Sequence, residues 1–121
     1  MTQLQVILST FNRPVGLVHA VKSIFTQTVL ASAPHAIELW ICDDWSTDVH
    51  QAEVIGRAVV SAPIRVCVLR PDRQYSAEEM RSFNPMAALI NGALRCSQTE
   101  YVTFMCDDVT FRPERCGAHL E

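Results

Sequence analysis

The sequence predicts one α/β domain built on a mostly parallel sheet with helices on both faces. Short apolar runs rich in β-branched residues alternate along the chain with segments of helical spacing. Hydrophobic residues make up 49% of the 121 residues, which is enough to form a core. Strands that are separated by helices pair in parallel through right-handed crossovers, so this order of elements predicts the fold class.

The first strand and helix are predicted within the first 27 residues. An apolar run over residues 5–9 is typical of a strand that is buried on both faces. A helix over residues 14–27 follows, and Pro14 suits its first turn. Thr10 or Asn12 is the expected side-chain cap of this helix.

A second strand and helix follow after a connection over residues 28–36. The strand is predicted over residues 37–42, where the apolar run is β-prone. The helix is predicted over residues 49–61, and Ser46 or Asp48 is its expected cap.

The remaining elements are two further strands and one helix. A third strand is predicted over residues 64–69, a helix from Pro85 onward, and a fourth strand over residues 101–105. Residues 109–111 suggest a short fifth strand. The polar segment over residues 70–84 predicts a functional or flexible loop, because long polar loops are uncommon inside compact domains.

Two of the predicted strands end in adjacent carboxylates, Asp43-Asp44 and Asp107-Asp108. In open α/β sheets, ligands bind just outside the carboxyl ends of the strands. A carboxylate at that place accepts hydrogen bonds from a base N–H or from ribose hydroxyls. Desolvating two adjacent carboxylates without a partner is costly, so we expect Asp44 to contact a ligand.

The second acidic pair suggests a metal site. Paired carboxylates beside a cleft are hard oxygen ligands for Mg²⁺ or Mn²⁺, and such an ion would neutralise a diphosphate. The alternative is a solvated turn that happens to carry two acids. For Arg70, Arg73 and Arg81, which border the polar loop, the expectation is a solvated charged surface, and contact with a phosphate is the alternative.

Composition excludes several classes of function. The net charge of −3 gives no electrostatic basis for binding nucleic acid or an anionic membrane. No apolar run approaches the ~20 residues of a membrane span, and the N-terminus lacks a signal peptide pattern, so we expect a cytoplasmic protein. Five cysteines without C-x-x-C spacing predict reduced thiols that are mostly buried, including Cys42, Cys67 and Cys106, and no zinc site.

At Ser9 to Pro14 and around the two acidic pairs, the sequence resembles the family-two glycosyltransferases. These are inverting enzymes with the three-layer, Rossmann-like GT-A nucleotide-sugar fold. One block is similar to the family's T-F/Y-N-R-P, a second to its D-D-G-S-T-D, and a third to its helix, G-E-Y-I/V strand and D-x-D metal motif. The blocks are Ser9-Thr10-Phe11-Asn12-Arg13-Pro14, Asp43-Asp44-Trp45-Ser46-Thr47-Asp48, and Asn91 through Asp108. The resemblance covers nearly the whole chain.

The resemblance implies a nucleotide-diphosphate sugar as donor, with a divalent cation, Mg²⁺ or Mn²⁺, on its diphosphate. Asp44 would contact the base or ribose, and Asp108 would hold the metal ion. The other implied nucleotide-binding residues are Thr10, Asn12, Asp43 and Asp107. The acceptor and the catalytic residues are not implied by any position of this sequence.

Three positions depart from the family pattern. Cys106 stands where the D-x-D motif has its first acid, and a thiol is a poor ligand for Mg²⁺ or Mn²⁺. Ile90 stands where the family often has an arginine. Trp45 replaces a glycine, which changes the backbone freedom of the turn.

The family's catalytic domain is roughly twice as long, and its acceptor-binding half and general base follow the D-x-D strand. We therefore expect residues 1–121 to be the nucleotide-sugar-binding part of a truncated domain, with the acceptor half absent. The predicted function is glycosyl transfer of the hexosyltransferase type, this chain supplying the donor and metal site. The alternative is a non-catalytic nucleotide-binding module or an inactive fragment of the same fold.

A phospho-receiver domain would need an acidic pair after the first strand and a lysine after a late strand. Because Lys22, the only lysine, lies in the first helix, the sequence disfavours that class. If the last strand of the sheet is uncovered, its exposed edge invites self-association.

Overall fold

A computed structural model describes residues 2–120 and confirms the predicted α/β class. Within that range the strands are β1 Leu4–Thr10, β2 Ile37–Asp43, β3 Arg65–Leu69 and β4 Tyr101–Cys106. The α-helices are α1 Pro14–Phe25, α2 Val49–Ser61, α3 Pro85–Cys96 and α4 Arg115–His119. Two short 3₁₀ helices span Thr28–Ala31 and Glu79–Arg81.

The four strands form one parallel sheet in the order β3-β2-β1-β4. The connection from β1 runs to one side toward β2 and β3, whereas β4 lies on the other side. The strand order therefore reverses between β1 and β4, and ligands of open α/β sheets bind at such a reversal. The register pairs Thr10 with Asp43 and Ser9 with Cys106, so the polar strand ends share one edge.

Helices cover both faces of the sheet, as predicted. Alternate residues of β1 point to opposite faces, because side chains alternate along a strand. Leu4, Val6 and Leu8 pack in the cluster that contains α1 and α2 residues. Ile7 packs on the other face with Ala93 of α3. The result is the predicted three-layer arrangement.

The start of α2 follows the predicted capping, whereas the start of α1 does not. Asp48 caps α2, because its carboxylate accepts a hydrogen bond of 2.8 Å from the His50 N–H. Pro14 opens α1 as predicted, but Arg13 is the N-cap residue and provides no side-chain hydrogen bond. The predicted capping of α1 by Thr10 or Asn12 is wrong, because both side chains bond to the β2–α2 region or to the end of β4.

The predicted short strand over residues 109–111 is also wrong. After β4 the chain turns, and the Val109 N–H donates to the carbonyl of Cys106. The turn carries Phe111 to the α1 side of the sheet, where its side chain is buried and its N–H donates to Ser23 Oγ at 3.1 Å. An apolar segment that looks strand-like is thus used to anchor the chain after β4.

The cysteines are free thiols, as predicted. Cys42 and Cys116 are buried, and burial raises the pKa of each thiol to about 11. Cys106 is exposed, contrary to the expectation of a buried thiol. It lies on the side of β4 that α3 leaves uncovered, since α3 packs mainly against β1 and β2. No helix between residues 2 and 120 is long and apolar enough to cross a membrane.

Candidate functional site

The structure brings all six predicted site residues to the carboxyl edge of the sheet. Strand β1 ends at Thr10, β2 ends at Asp43, and Asp107 follows β4 directly. Backbone hydrogen bonds join these chain segments. The Asp44 N–H donates to the Thr10 carbonyl at 3.0 Å, and the Asp107 N–H donates to the Ser9 carbonyl at 3.2 Å. Parallel strands end at one edge, so acids far apart in sequence become neighbours.

Asp43 is a buried carboxylate that organises the β2–α2 loop. It is 1% exposed and accepts hydrogen bonds from the Ser46 N–H at 3.0 Å and from Gln51 Nε2 at 3.3 Å. Arg70 Nε lies 2.9 Å away and neutralises its charge. Arg70 remains exposed, as expected of a charged surface, although its guanidinium is paired with Asp43. These partners satisfy the Asp43 carboxylate and hold the β2–α2 loop in place.

Asp107 fastens the end of β4 to the β1–α1 loop. It is 7% exposed, and its Oδ2 accepts hydrogen bonds from Thr10 Oγ1 at 2.8 Å and from the Phe11 N–H at 3.3 Å. Its Oδ1 lies 3.7 Å from Arg13 Nε. These contacts position Asp108, the next residue, which is exposed.

Asn12 joins the β1–α1 loop to the β2–α2 loop. Its Oδ1 accepts hydrogen bonds from the N–H groups of Thr47 at 2.8 Å and Asp48 at 3.0 Å. Its own N–H donates to Ser46 Oγ at 2.9 Å. The φ of Asn12 is 47°, in the left-handed region that asparagine tolerates better than most residues.

Gln51 is a residue of the site that the sequence analysis missed. Its Nε2 donates to Thr10 Oγ1 at 2.7 Å and to Asp43 Oδ1, and its Oε1 accepts from the Arg13 N–H at 3.2 Å. Because Thr10 in turn donates to Asp107, Gln51 connects the two acidic strand ends. The side chain is 1% exposed.

A sequence signal for Gln51 did exist. Helical spacing places it on the same face of α2 as Val54, Ile55 and Ala58, which pack toward the core. A buried polar residue is more informative than an exposed one, because it needs hydrogen-bond partners. A glutamine on the apolar face of the helix that follows an acidic strand end therefore indicates an internal contact.

Asp44 differs from its neighbour because it is only partly buried. Burial raises the pKa of its carboxyl group, and the negative charge of Asp43 raises it further. Asp44 lines a cavity of about 200 Å³ at the carboxyl edge. Aromatic and apolar side chains also line this cavity, among them Phe11, Trp45, Tyr75 and Met80. Flat apolar walls beside a hydrogen-bond acceptor suit a nucleobase.

Larger cavities lie away from the acidic strand ends. One of about 430 Å³ opens at the amino edge of the sheet and includes Glu38 and Arg65. Another of about 600 Å³ lies between the first 3₁₀ helix and α4. Glu38 is already satisfied by Trp40 Nε1 at 3.0 Å and by Ser97. We therefore take the smaller cavity beside Asp44 as the candidate site because of its lining groups and not because of its size.

The polar loop over residues 70–84 forms one wall of the cavity beside Asp44 and is held by contacts among its own residues. Arg73 pairs with Glu79, and its Cζ lies 4.1 Å from the centroid of the Tyr75 ring. The hydrogen bond from Arg73 lowers the pKa of Glu79 to about 2, and Ser76 contributes further hydrogen bonds. The Tyr75 ring centroid lies 5.0 Å from that of Phe83.

Comparison with known proteins gives the family of this chain. Residues 5–121 match the sequence model of glycosyl transferase family 2. The chain belongs to this family. The predicted family-two resemblance is thereby confirmed, and the site described above lies at the carboxyl edge of the sheet in a family 2 fold. No curated protein matches the sequence.

Solved structures share the fold of this family 2 chain. Staphylococcus aureus TarS 1-349, also solved in complex with UDP, aligns with a TM-score of 0.73 and 20% identity, over 98% of this chain and 31% of that chain. The mannosyltransferase PcManGT from Pyrobaculum calidifontis, in complex with GDP-Man and Mn²⁺, aligns with a TM-score of 0.69 and 18% identity, over 90% of this chain and 28% of that chain. The GT-A fold is confirmed, and the chain spans about a third or less of these neighbours.

Few of the described side chains at this family 2 site could hold a divalent cation. Among the residues that the structure describes, no three His, Cys, Asp or Glu side chains are grouped to hold a metal ion. Asp108 offers one exposed carboxylate, and the neighbouring Cys106 offers a thiol. Mg²⁺ is commonly held by one or two carboxylates together with substrate phosphates. Asp108 fits that role as a single protein ligand.

Proposed function

We propose that residues 1–121 form the nucleotide-sugar-binding part of a glycosyltransferase of the hexosyltransferase type. The observation that carries the proposal is the partly exposed carboxylate of Asp44 beside an aromatic-lined cavity. The β1–β4 reversal of strand order lies at the same edge of the sheet. Family membership and the ligands named for two structural neighbours support a nucleoside diphosphate as the bound group.

In this proposal Asp44 recognises the base. An ionised carboxylate only accepts hydrogen bonds, so it favours a base with a ring N–H. Uracil and guanine have such a group, whereas adenine and cytosine present a ring acceptor at the corresponding position. We therefore expect UDP or GDP donors.

The proposed diphosphate site lies toward β4. Asp108 would hold Mg²⁺ or Mn²⁺ against the diphosphate, where the ion supplies charge neutralisation for the leaving group. Thr10, Asn12 and Asp107 would position the loops along the nucleotide through the contacts described above. Asp43 would act in the same way behind Asp44.

The proposed reaction is displacement at the anomeric carbon by an acceptor hydroxyl, whose proton is taken by a general base. We assign no residue to that base and no acceptor. A non-catalytic nucleotide-binding module is the second candidate. Two observations favour it: Cys106 replaces the first acid of the motif, and Asp107 is bound to Thr10 and Arg13.

Calorimetric titration of UDP and GDP, with and without Mn²⁺, tests the proposed site. Asp44→Ala should weaken binding about tenfold or more, because a hydrogen bond to a charged group contributes about 1.5–3 kcal/mol. Asp108→Ala should abolish the enhancement by Mn²⁺ and preserve metal-free binding. Glu100→Ala is the matched control, since it removes an exposed carboxylate at the opposite edge of the sheet.

Two exposed cysteines give an independent test of where the nucleotide binds. Cys106 ends β4 beside the proposed diphosphate site, whereas Cys96 ends α3 at the amino edge of the sheet. UDP with Mn²⁺ should slow alkylation of Cys106 and leave Cys96 unchanged, as measured by mass spectrometry. A folded chain that binds neither nucleotide, or equal protection of both thiols, would contradict the proposed site. Nucleotide binding without release of UDP from UDP-sugars would favour the binding module.

A further inference from the structure

Trp45 has an unusual backbone conformation at the edge of the candidate site. Its φ is 62°, in the left-handed region that bulky side chains rarely adopt. The family pattern that the sequence resembles has glycine here, which adopts this conformation without steric penalty. A costly conformation persists only where surrounding contacts impose it, so the contacts of Trp45 are informative.

Arg70, which is paired with Asp43, holds the Trp45 ring in place. The guanidinium carbon of Arg70 lies 4.9 Å from the ring centroid, within the range of a cation–π contact. Arg70 is itself fixed by Asp43 at 2.9 Å and by the carbonyl of Ser46 at 3.0 Å. The ring is therefore pre-organised before any ligand arrives.

Trp45 also contributes to the cavity that holds Asp44. Phe11 and Tyr75 line the same cavity from the β1–α1 loop and from the polar loop. Trp45 is only half-buried, so part of its side chain remains accessible. An immobile aromatic surface loses little entropy when a flat ligand stacks on it.

We propose that Trp45 is a specificity-determining residue that stacks against the nucleobase whose N–H groups donate hydrogen bonds to Asp44. This inference rests on the proposed function and adds a contact that a glycine cannot make. The stacked surface favours the larger guanine ring over uracil, and Arg70 acts on the base only by positioning Trp45. The ligand class is thus a nucleoside diphosphate with a ring N–H, and GDP is favoured over UDP.

Trp45→Gly is a sharp test, because glycine suits the observed φ and leaves the backbone of the loop unstrained. The variant should bind GDP at least about fivefold more weakly, as expected for the loss of base stacking, with a smaller loss for UDP. Trp45→Asn, which also tolerates a positive φ, should behave in the same way. Trp45→Phe should retain most of the affinity and the preference for GDP.

Fluorescence supplies a readout that a merely structural role would not change. The other tryptophan, Trp40, is 5% exposed and bonds Glu38 near the amino edge of the sheet. Nucleotide should therefore quench the emission of the wild type and of Trp40→Phe, and should leave that of Trp45→Phe unchanged.

The outcomes separate this inference from the proposed function. If Asp44→Ala loses nucleotide binding while Trp45→Gly retains wild-type affinity and the wild-type GDP-to-UDP ratio, Trp45 does not stack on the base and the proposed function stands. If the folded wild-type chain binds no nucleotide, both proposals fail.

Discussion

Asp43 and Asp44 are adjacent in the chain, yet their surroundings give them opposite properties. The Asp43 side chain points into the protein, where Arg70 and Ser46 satisfy its carboxylate. The Asp44 side chain is partly buried beside that charge, and its pKa is raised by burial and by Asp43. A one-residue step at the end of a strand reverses the direction of the side chain, so Asp43 is an internal anchor and Asp44 lines the candidate cavity.

Asp44→Asn should have opposite effects on stability and on binding. The folded-state pKa of Asp44 lies above its unfolded value, so ionisation opposes folding at neutral pH. The substitution should raise the free energy of unfolding at pH 7 by less than about 1 kcal/mol, because solvent screens a partly exposed group. Urea denaturation measures this change.

The same substitution should weaken nucleotide binding and alter its pH dependence. Wild-type affinity should fall with decreasing pH as Asp44 protonates, and the fall should begin at a higher pH than the usual aspartate value of about 3.9 implies. The affinity of Asp44→Asn should not change over that interval. A wild-type affinity that is equally flat by calorimetry would contradict recognition by ionised Asp44.

At the scale of elements, α1 packs closely on the turn that follows β4. A Cβ atom on Gly16 would lie 2.3 Å from the carbonyl oxygen of Asp107, which is too close for any side chain. The glycine therefore permits the approach that lets Thr10 and Phe11 bond to Asp107. The position of Asp108 depends on this contact between a helix and a turn.

Gly16→Ala should destabilise the fold by about 1–3 kcal/mol, because the added methyl group overpacks against the backbone. Gly56→Ala is the matched control in α2, where an added Cβ meets no atom within 4 Å. The control should be more stable by up to about 1 kcal/mol, since alanine is a better helix former. Urea denaturation of both variants tests the pair, and equal stabilisation would show that the close approach does not exist.

At the scale of the whole molecule, β4 is an edge strand of the sheet within residues 2–120, and α3 leaves one of its faces uncovered. Tyr101, Val102 and Phe104 are exposed by 52%, 40% and 54%. Strand β4 itself carries no charge, so two copies face no repulsion along it. Uncharged, apolar edge strands pair readily with other strands. Self-association through this edge, expected from the sequence, stays a prediction.

The chain should form dimers or larger species through β4 in a concentration-dependent way. Phe104→Lys should shift it to a monomer in light scattering, because a charged residue on the edge opposes strand pairing. Val60→Lys is the control, since Val60 is 89% exposed on α2, away from this edge. A wild-type chain that stays monomeric at high concentration would refute the prediction.

The sequence determined the fold class because its signals are local. The period of apolar residues distinguishes helices from strands. Pro14 marks the start of α1 through its fixed φ, and Asp48 marks the start of α2 through a hydrogen bond to the His50 N–H. The alternation of these elements implies a parallel sheet, and a parallel sheet places both acidic pairs at one edge. The location of the candidate site at the carboxyl edge therefore followed from the sequence.

Only the tertiary structure decided which of the acids remain accessible. Asp43 and Asp107 are satisfied by Arg70, Thr10 and Gln51, residues that are distant in sequence and meet only when helices pack on the sheet. No periodicity specifies such contacts, because they depend on loop paths and on close approaches such as that of α1. The sequence predicted where the carboxylates lie, and packing determined which two of them, Asp44 and Asp108, remain accessible.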